Sequence, residues 1–183
     1  WGERPKRPVP TPSELAVQLV QNLGRGTKGV FWFSYSTKRG TQYPDVREAM
    51  RNWGRVMTCL REDLLGSEPS NVPCTAPDKV DATLLVGRDA AVLCLTNLDY
   101  QIDAEAYPFV EKKDVTVSVP LPAWLNPTGA VLLDPASGPT PLAVSMQSIT
   151  LPRLLDAAVV LLPKDAARLS TLADAWKNIV AQE

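Results

Sequence analysis

The chain has 183 residues, of which 45% are hydrophobic and 21% are charged, and its formal net charge is −1. This length and composition are typical of one globular domain, or of a small domain with an appendage. A net charge so close to zero provides no general attraction to nucleic acid or to an anionic membrane, so neither is predicted as a partner. No apolar run in the sequence approaches the roughly 20 residues that a membrane-spanning helix requires.

Several kinds of site lack the residues they would need. The chain has no histidine, which excludes a Cys-His metal site and removes the usual base for a Ser or Cys nucleophile. The run LGRGTKG at residues 23–29 is glycine-rich, but it precedes a predicted strand, whereas a phosphate-binding loop follows one. We therefore interpret it as a helix end and a turn, and we predict no cofactor, no metal and no catalytic residue.

The three cysteines are too few and too widely spaced for a disulfide framework. They are Cys59, Cys74 and Cys94. We predict three buried thiols, because free cysteine is among the most buried residue types. One disulfide plus one free thiol is the alternative.

The first predicted helix begins at Thr11. Thr11 can act as the N-cap, Pro12 suits the first helical position, and Glu14 completes a capping box. Leucines then recur at every fourth position and form one apolar stripe. These are Leu15, Leu19 and Leu23. The glycines that follow predict the end of the helix.

A strand is predicted from roughly Gly29 to Ser36, and a second helix from about Asp45 to Leu65, with Asp45 in the N-cap region. The strand is apolar on both faces, which is typical of a mostly parallel sheet covered by helices on both sides. One strand cannot form such a sheet. Its partners therefore lie in a different chain or a removed segment, or the strand joins the sheets that follow as an extra strand.

The part of the chain after this helix changes character. Six short apolar or alternating runs are separated by turn residues, which predicts an antiparallel β-sandwich. The predicted strands are Ala82–Gly87, Ala91–Asn97, Val115–Pro120, Ala130–Asp134, Ser145–Leu151 and Ala157–Leu162. A final amphipathic helix is predicted at about Ala166 to Val180. The predicted fold class is α+β.

The predicted organisation has four parts. They are a helix-strand-helix segment at residues 1–66, a linker at 67–78, the β-sandwich at 79–165 and a C-terminal helix at 166–183.

The run TPSELAVQLVQNLGRGTKGVFWFSYS resembles the final β/α unit of retaining (β/α)₈-barrel glycoside hydrolases of the β-galactosidase-like clan. In that clan a helix is followed by Gly-Ala-Lys-Gly, a hydrophobic residue, three aromatic residues and a polar one. Residues 26–35 here read Gly-Thr-Lys-Gly-Val-Phe-Trp-Phe-Ser-Tyr. The resemblance covers roughly residues 11–65, and residues 79–162 resemble the β-sandwich that such enzymes often carry at the C-terminus.

The resemblance implies a C-terminal part of a glycoside-hydrolase-like protein that is not catalytic alone. The family's catalytic carboxylates lie on earlier barrel strands, so no residue of this chain inherits their roles. The last barrel strand can supply an aromatic wall for a sugar ring, because active sites form at the C-terminal ends of barrel strands. Trp32 and Tyr35 are the candidate substrate-binding residues. The implied partners are the rest of the parent barrel or another chain, and a carbohydrate.

Two other interpretations remain open. The chain could be a self-contained, non-catalytic module for binding carbohydrate or protein, with the apolar strand recruited into the sandwich. A stand-alone enzyme is the third. Trp124 and Tyr107 could line a carbohydrate-binding face, with packing in the core or at a sheet edge as the alternative for both.

Overall fold

The computed structural model describes residues 10–32, 43–102, 107–127, 129–145 and 147–182. These residues form four helices. They are α1 (Pro12–Gly24), α2 (Pro44–Cys59), α3 (Arg61–Leu65) and α4 (Ala167–Val180). No helix in the described ranges combines the length and the apolar character needed to cross a membrane.

Nine strands form two sheets in the described part of the chain. The strands are β1 (Ser67–Pro69), β2 (Val80–Gly87), β3 (Ala90–Asn97), β4 (Lys112–Ser118), β5 (Ala130–Asp134), β6 (Gly138–Leu142), β7 (Val144–Ser145), β8 (Ser148–Leu154) and β9 (Ala157–Pro163). The six-stranded sheet has the order β1-β2-β3-β9-β5-β6, and the three-stranded sheet has the order β4-β8-β7. Every pair is antiparallel. The predicted α+β class, the antiparallel sheets and the C-terminal helix are confirmed.

The six-stranded sheet is the middle layer of three, because both of its faces are covered. On β3, Val92 and Cys94 belong to the core shared with the helices, whereas Leu93 and Leu95 belong to the core shared with the three-stranded sheet. Side chains alternate along a strand, so adjacent residues of β3 enter different cores. β3 is buried along its whole length. β3, an inner strand of the six-stranded sheet, is therefore covered on both faces.

Helix α1 has the capping box that the sequence predicts. The Thr11 hydroxyl accepts a hydrogen bond from the Glu14 N–H at 3.3 Å, and the Glu14 carboxylate accepts one from the Thr11 N–H at 2.7 Å. The helix packs against β2, β3 and β9. Its last residue, Gly24, lies so close to the sheet that a Cβ there would collide with the Thr83 hydroxyl. The absence of a side chain thus allows the helix end to approach the sheet.

The predicted helix from Asp45 to Leu65 is two helices. It is interrupted at Leu60, which has φ −98° and ψ 12° and is fully buried. The apolar periodicity continues across this point without Gly or Pro, so the sequence gives no sign of the break. Tyr43 is the N-cap, not Asp45, because Pro44 takes the first helical position and Asp45 lies in the first turn.

The predicted strand from Gly29 to Ser36 is wrong where it can be checked. Residues 29–32 form no strand, and the remaining positions lie outside the described residues. Val30 and Trp32 are half-buried against the helix-side core, but Phe31 is 88% exposed, so this segment is covered on one face only.

The edge of the sheet beside this segment is taken by a different strand. β1 pairs with the end of β2, where an added strand would have to pair. Lys28 holds the segment nearby, because its ammonium donates to the carbonyls of Leu64 (3.0 Å) and Ser67. Residues 29–32 therefore follow a backbone that is anchored at β1, and they do not join the sheet.

The remaining strands follow the predictions with local differences. β5 matches its predicted bounds, whereas β8 begins and ends three residues later than predicted. The prediction misses β6, because Pro139 and Pro141 argue against a strand interior. β6 is an edge strand, where the missing N–H groups of proline are tolerated. Trp176 of α4 packs at the start of β6 over Gly138, whose φ is +90°.

The predicted division into a helical segment, a linker and a sandwich stays a prediction. The helices and the six-stranded sheet share one continuous core, to which α1, α2, α3 and α4 all contribute. Within the predicted linker, residues 67–69 form β1.

Candidate functional site

Of the two predicted substrate-binding residues, Trp32 lies in the described part of the chain and Tyr35 does not. Trp32 is half-buried against the helix-side core. Tyr35 lies outside the described residues, so the aromatic wall stays a prediction. The two other aromatic candidates, Trp124 and Tyr107, do not share a face. Tyr107 lies in the loop after β3 and contacts Tyr100 edge-on, with ring centroids 5.7 Å apart.

Trp124 stands at a surface groove at the opposite end of β2 from that loop. We call it the Trp124 groove, and its volume is about 520 Å³. It is lined by Glu68, Pro69, Ser70, Val72, Val86, Pro120, Leu121, Pro122, Trp124 and Gln147. Residues from four separate stretches of the chain meet here. Strands β1 and β2 of the six-stranded sheet contribute to the groove, as do the segment after β4 and the turn between β7 and β8.

The turn that carries Trp124 is fixed by the residues on either side of it. Leu121 and Leu125 are buried in the core between the sheets, at 8% and 2% exposure. The Leu125 N–H closes the turn by donating to the Pro122 carbonyl at 2.9 Å. Trp124 lies between these anchors and is 51% exposed. The fold therefore displays the indole at the surface on a restrained backbone.

Polar side chains border the groove. Ser70 and Glu68 lie on or next to β1, and Gln147 lies in the β7–β8 turn. Gln147 has φ +61°, in the left-handed region that non-glycine residues rarely adopt. Its carbonyl accepts a hydrogen bond from the Val119 N–H at 2.7 Å, which ties the turn to the groove.

A second cleft, of about 290 Å³, lies between helices α1 and α2 on one side and the β5–β6 hairpin and the β8–β9 connection on the other. We call it the Asp134–Asp156 cleft. Asn52 and Trp53 of α2 line one side of the cleft. The side chains of Asp134, Asp156 and Arg153 line the other side.

The two carboxyl groups of this cleft have pKa values shifted in opposite directions: the pKa of Asp156 is raised and that of Asp134 is lowered. Burial raises the pKa of Asp156. Hydrogen bonds from the Ser13 hydroxyl and the Ala157 N–H act to lower that pKa, but their effect is smaller than that of burial. Burial also acts to raise the pKa of Asp134, but hydrogen bonds from Ser137 and then Ala136 outweigh it and lower that pKa overall.

Each of these carboxylates has a structural role. Asp134 accepts hydrogen bonds from the N–H groups of Ala136 (2.9 Å) and Ser137 (2.7 Å), which closes the β5–β6 hairpin. Asp156 joins the first turn of α1, through Ser13, to the connection between β8 and β9. No group of three or more Cys, Asp or Glu side chains suited to a metal ion occurs among the described residues. Hydrogen bonds within the protein thus explain why Asp134 and Asp156 occur in this cleft, and no ligand is needed to explain them.

The cysteines form no disulfide. Cys59 and Cys94 are buried as predicted, and Cys74 is half-buried. Burial raises the pKa of Cys74 to about 11 and that of Cys94 to about 12, so both are protonated thiols at neutral pH. They are poor nucleophiles for this reason.

A scan against protein-family models and a search of curated proteins gave no match. Three solved structures are similar to part of this chain. A cycloisomaltooligosaccharide glucanotransferase from Paenibacillus sp., complexed with cycloisomaltoheptaose, matches with a TM-score of 0.47 at 13% identity, over 63% of this chain and 21% of its own. A GH30 endoxylanase from Clostridium papyrosolvens has a TM-score of 0.42 at 12% identity, over 61% and 28%.

An α-L-fucosidase isoenzyme 2 from Paenibacillus thiaminolyticus has a TM-score of 0.37 at 15% identity, over 57% of this chain and 16% of its own. The chain therefore spans less than a third of the length of each of these three proteins.

Proposed function

We propose that this chain is a non-catalytic module of a glycoside-hydrolase-like protein, in which the sandwich supports the remainder of that protein. The sequence resemblance of residues 11–65 to a last barrel unit supports this proposal. The observation that carries it is the exposure of Phe31 in an apolar run. The partner in contact with Phe31 is the rest of the parent protein or another chain.

Phe31 is held at the surface by its neighbours. Val30 and Trp32 pack against the helix-side core, and Lys28 fixes the preceding backbone to the end of α3. Phe31 thus points away from the core while 88% of it contacts solvent. Burying a phenylalanine side chain is worth about 1.5–3 kcal/mol, so a partner surface gains that much from covering it.

Sedimentation velocity of the 183-residue protein tests this proposal. We expect reversible self-association at high concentration through the exposed run, and we expect Phe31→Ser to reduce it. Ile102→Ser is the matched control, because Ile102 is 84% exposed but lies in the loop after β3. Two results would contradict the role of Phe31. One is that Phe31→Ser sediments in the same way as the unmodified 183-residue protein, and the other is that Ile102→Ser reduces self-association as much as Phe31→Ser does.

A second candidate function is a self-contained module that binds carbohydrate or protein. The half-exposed Trp124 above a groove favours it, because a tryptophan held at the surface is a common anchor of binding sites.

A further inference from the structure

The Trp124 groove combines an unstacked indole with hydrogen-bonding side chains. The aromatic rings in the loop after β3 are different, because Tyr100 contacts both Tyr107 and Phe109 edge-on. Trp124 makes no such ring contact with another described residue. The side chain is 51% exposed, so about half of the indole surface is accessible to a ligand.

The groove is built on a restrained backbone. Three prolines line it, namely Pro69, Pro120 and Pro122. The buried leucines on either side of Trp124 fix the turn that carries the indole. A ligand consequently pays little conformational entropy to organise the site. A volume of about 520 Å³ is within the usual range of ligand sites, which is about 300–1,000 Å³.

The charges around the groove favour a neutral ligand. Glu68 is the one ionisable side chain in the lining, and its carboxylate lies 3.5 Å from the Lys28 ammonium. The pair leaves little net charge with which to attract an ion. The Gln147 amide can donate and accept hydrogen bonds. The Ser70 hydroxyl donates to the Val72 carbonyl at 3.3 Å and accepts from the Val72 N–H at 3.1 Å, which leaves it one acceptor lone pair for a ligand.

We propose that the Trp124 groove is a non-catalytic binding site for a neutral oligosaccharide. A pyranose ring presents a face of C–H groups that can lie on the Trp124 indole. Its hydroxyls can exchange hydrogen bonds with the Gln147 amide and can donate one to the Ser70 hydroxyl. The proposal deepens the second candidate function and depends on it. It is independent of Phe31, so the sedimentation experiment and the binding experiment can fail separately.

Native affinity electrophoresis tests the proposal in gels that contain soluble dextran, mixed-linkage β-glucan or xylan. We expect at least one polysaccharide to retard the 183-residue protein, and Trp124→Ala to weaken that binding at least about tenfold. Tyr107→Ala is the matched control, since Tyr107 is 42% exposed and outside the groove. Absence of retardation in all three gels, or equal retardation of Trp124→Ala, would overturn the proposal.

A second variant tests the hydrogen bonds without loss of the indole. Gln147→Gly removes the amide and suits φ +61°, so we expect an unchanged or higher melting temperature with weaker retardation. If Gln147→Gly is retarded as strongly as the unmodified 183-residue protein, the assigned role of Gln147 is overturned.

A proline-rich peptide is the competing occupant, because such peptides dock on aromatic grooves. Calorimetric titration with a proline decapeptide addresses it. We expect no heat of binding. Binding of the decapeptide that requires Trp124, together with no retardation by any polysaccharide, would overturn the proposal in favour of a peptide site.

Discussion

Arg168 joins helix α4 to the junction of α2 and α3, and its removal is predicted to destabilise the protein strongly. Its guanidinium donates to the Asp63 carboxylate at 2.6 Å and to the Cys59 carbonyl at 3.2 Å. The Arg168 side chain is 30% exposed and that of Asp63 is 11% exposed. Replacing the arginine by methionine keeps most of the side-chain length but leaves the carboxylate without this partner.

The magnitude follows from the burial of the pair. Removing one partner of a fully buried ion pair costs about 3–5 kcal/mol, whereas an exposed pair is worth at most about 1 kcal/mol. The partial exposure of Arg168 places Arg168→Met between these limits, at about 2–3 kcal/mol. Lys177→Met is the control on the same helix, because the Lys177 and Asp174 side chains are 76% and 75% exposed at 3.7 Å. It should cost less than about 0.5 kcal/mol.

Urea denaturation followed by circular dichroism measures both changes in the free energy of unfolding. The double variant Arg168→Met/Asp63→Leu should recover part of the loss, because it also removes the buried carboxylate. A loss below about 0.5 kcal/mol for Arg168→Met, equal to that of the surface control, would refute the reasoning.

Two further stability predictions concern the start of α1 and a hairpin of the six-stranded sheet. Thr11→Ala removes the side-chain half of the capping box and should lower the free energy of unfolding by about 1 kcal/mol in urea denaturation; an unchanged midpoint would contradict the cap's contribution. Asp134 has a lowered pKa in the folded state, so its carboxylate stabilises the fold at neutral pH and loses that effect as the pH falls below about 3.8. Asp134→Asn should therefore be less stable than the unmodified protein at pH 7, and the difference should shrink as the pH falls below about 3.8, whereas a difference that does not change with pH would contradict this account.

The sequence predicts those elements whose cause is local. The capping box at Thr11 depends on residues within one helical turn, and it forms as expected. β5 likewise has its predicted bounds, since a continuous apolar run ends at the turn residues that begin with Asp134. In both cases an apolar pattern is bounded by a residue that marks where the element begins or ends.

The errors share a different cause, which is tertiary context. An apolar run such as residues 29–32 does not show which of its faces will be covered, and β1 takes the sheet edge beside it. The break at Leu60 satisfies burial in the core and has no helix-breaking residue. β6 tolerates its prolines only because it is an edge strand.

The Trp124 groove could not be predicted from a local pattern. Its lining comes from residues 68–72, residue 86, residues 120–124 and residue 147, which meet only after both sheets have formed. The sequence marks Trp124 as an aromatic candidate, but the exposure of its side chain depends on the burial of the leucines around it.

Photo-crosslinking at position 31 tests most directly whether this chain is a module that docks through its exposed apolar run. A benzophenone amino acid replaces Phe31 in the protein as its gene encodes it, and mass spectrometry maps the crosslinked peptides. The account predicts crosslinks to residues of the parent protein outside residues 1–183, or to another chain. Crosslinks confined to these 183 residues of the same molecule would contradict it.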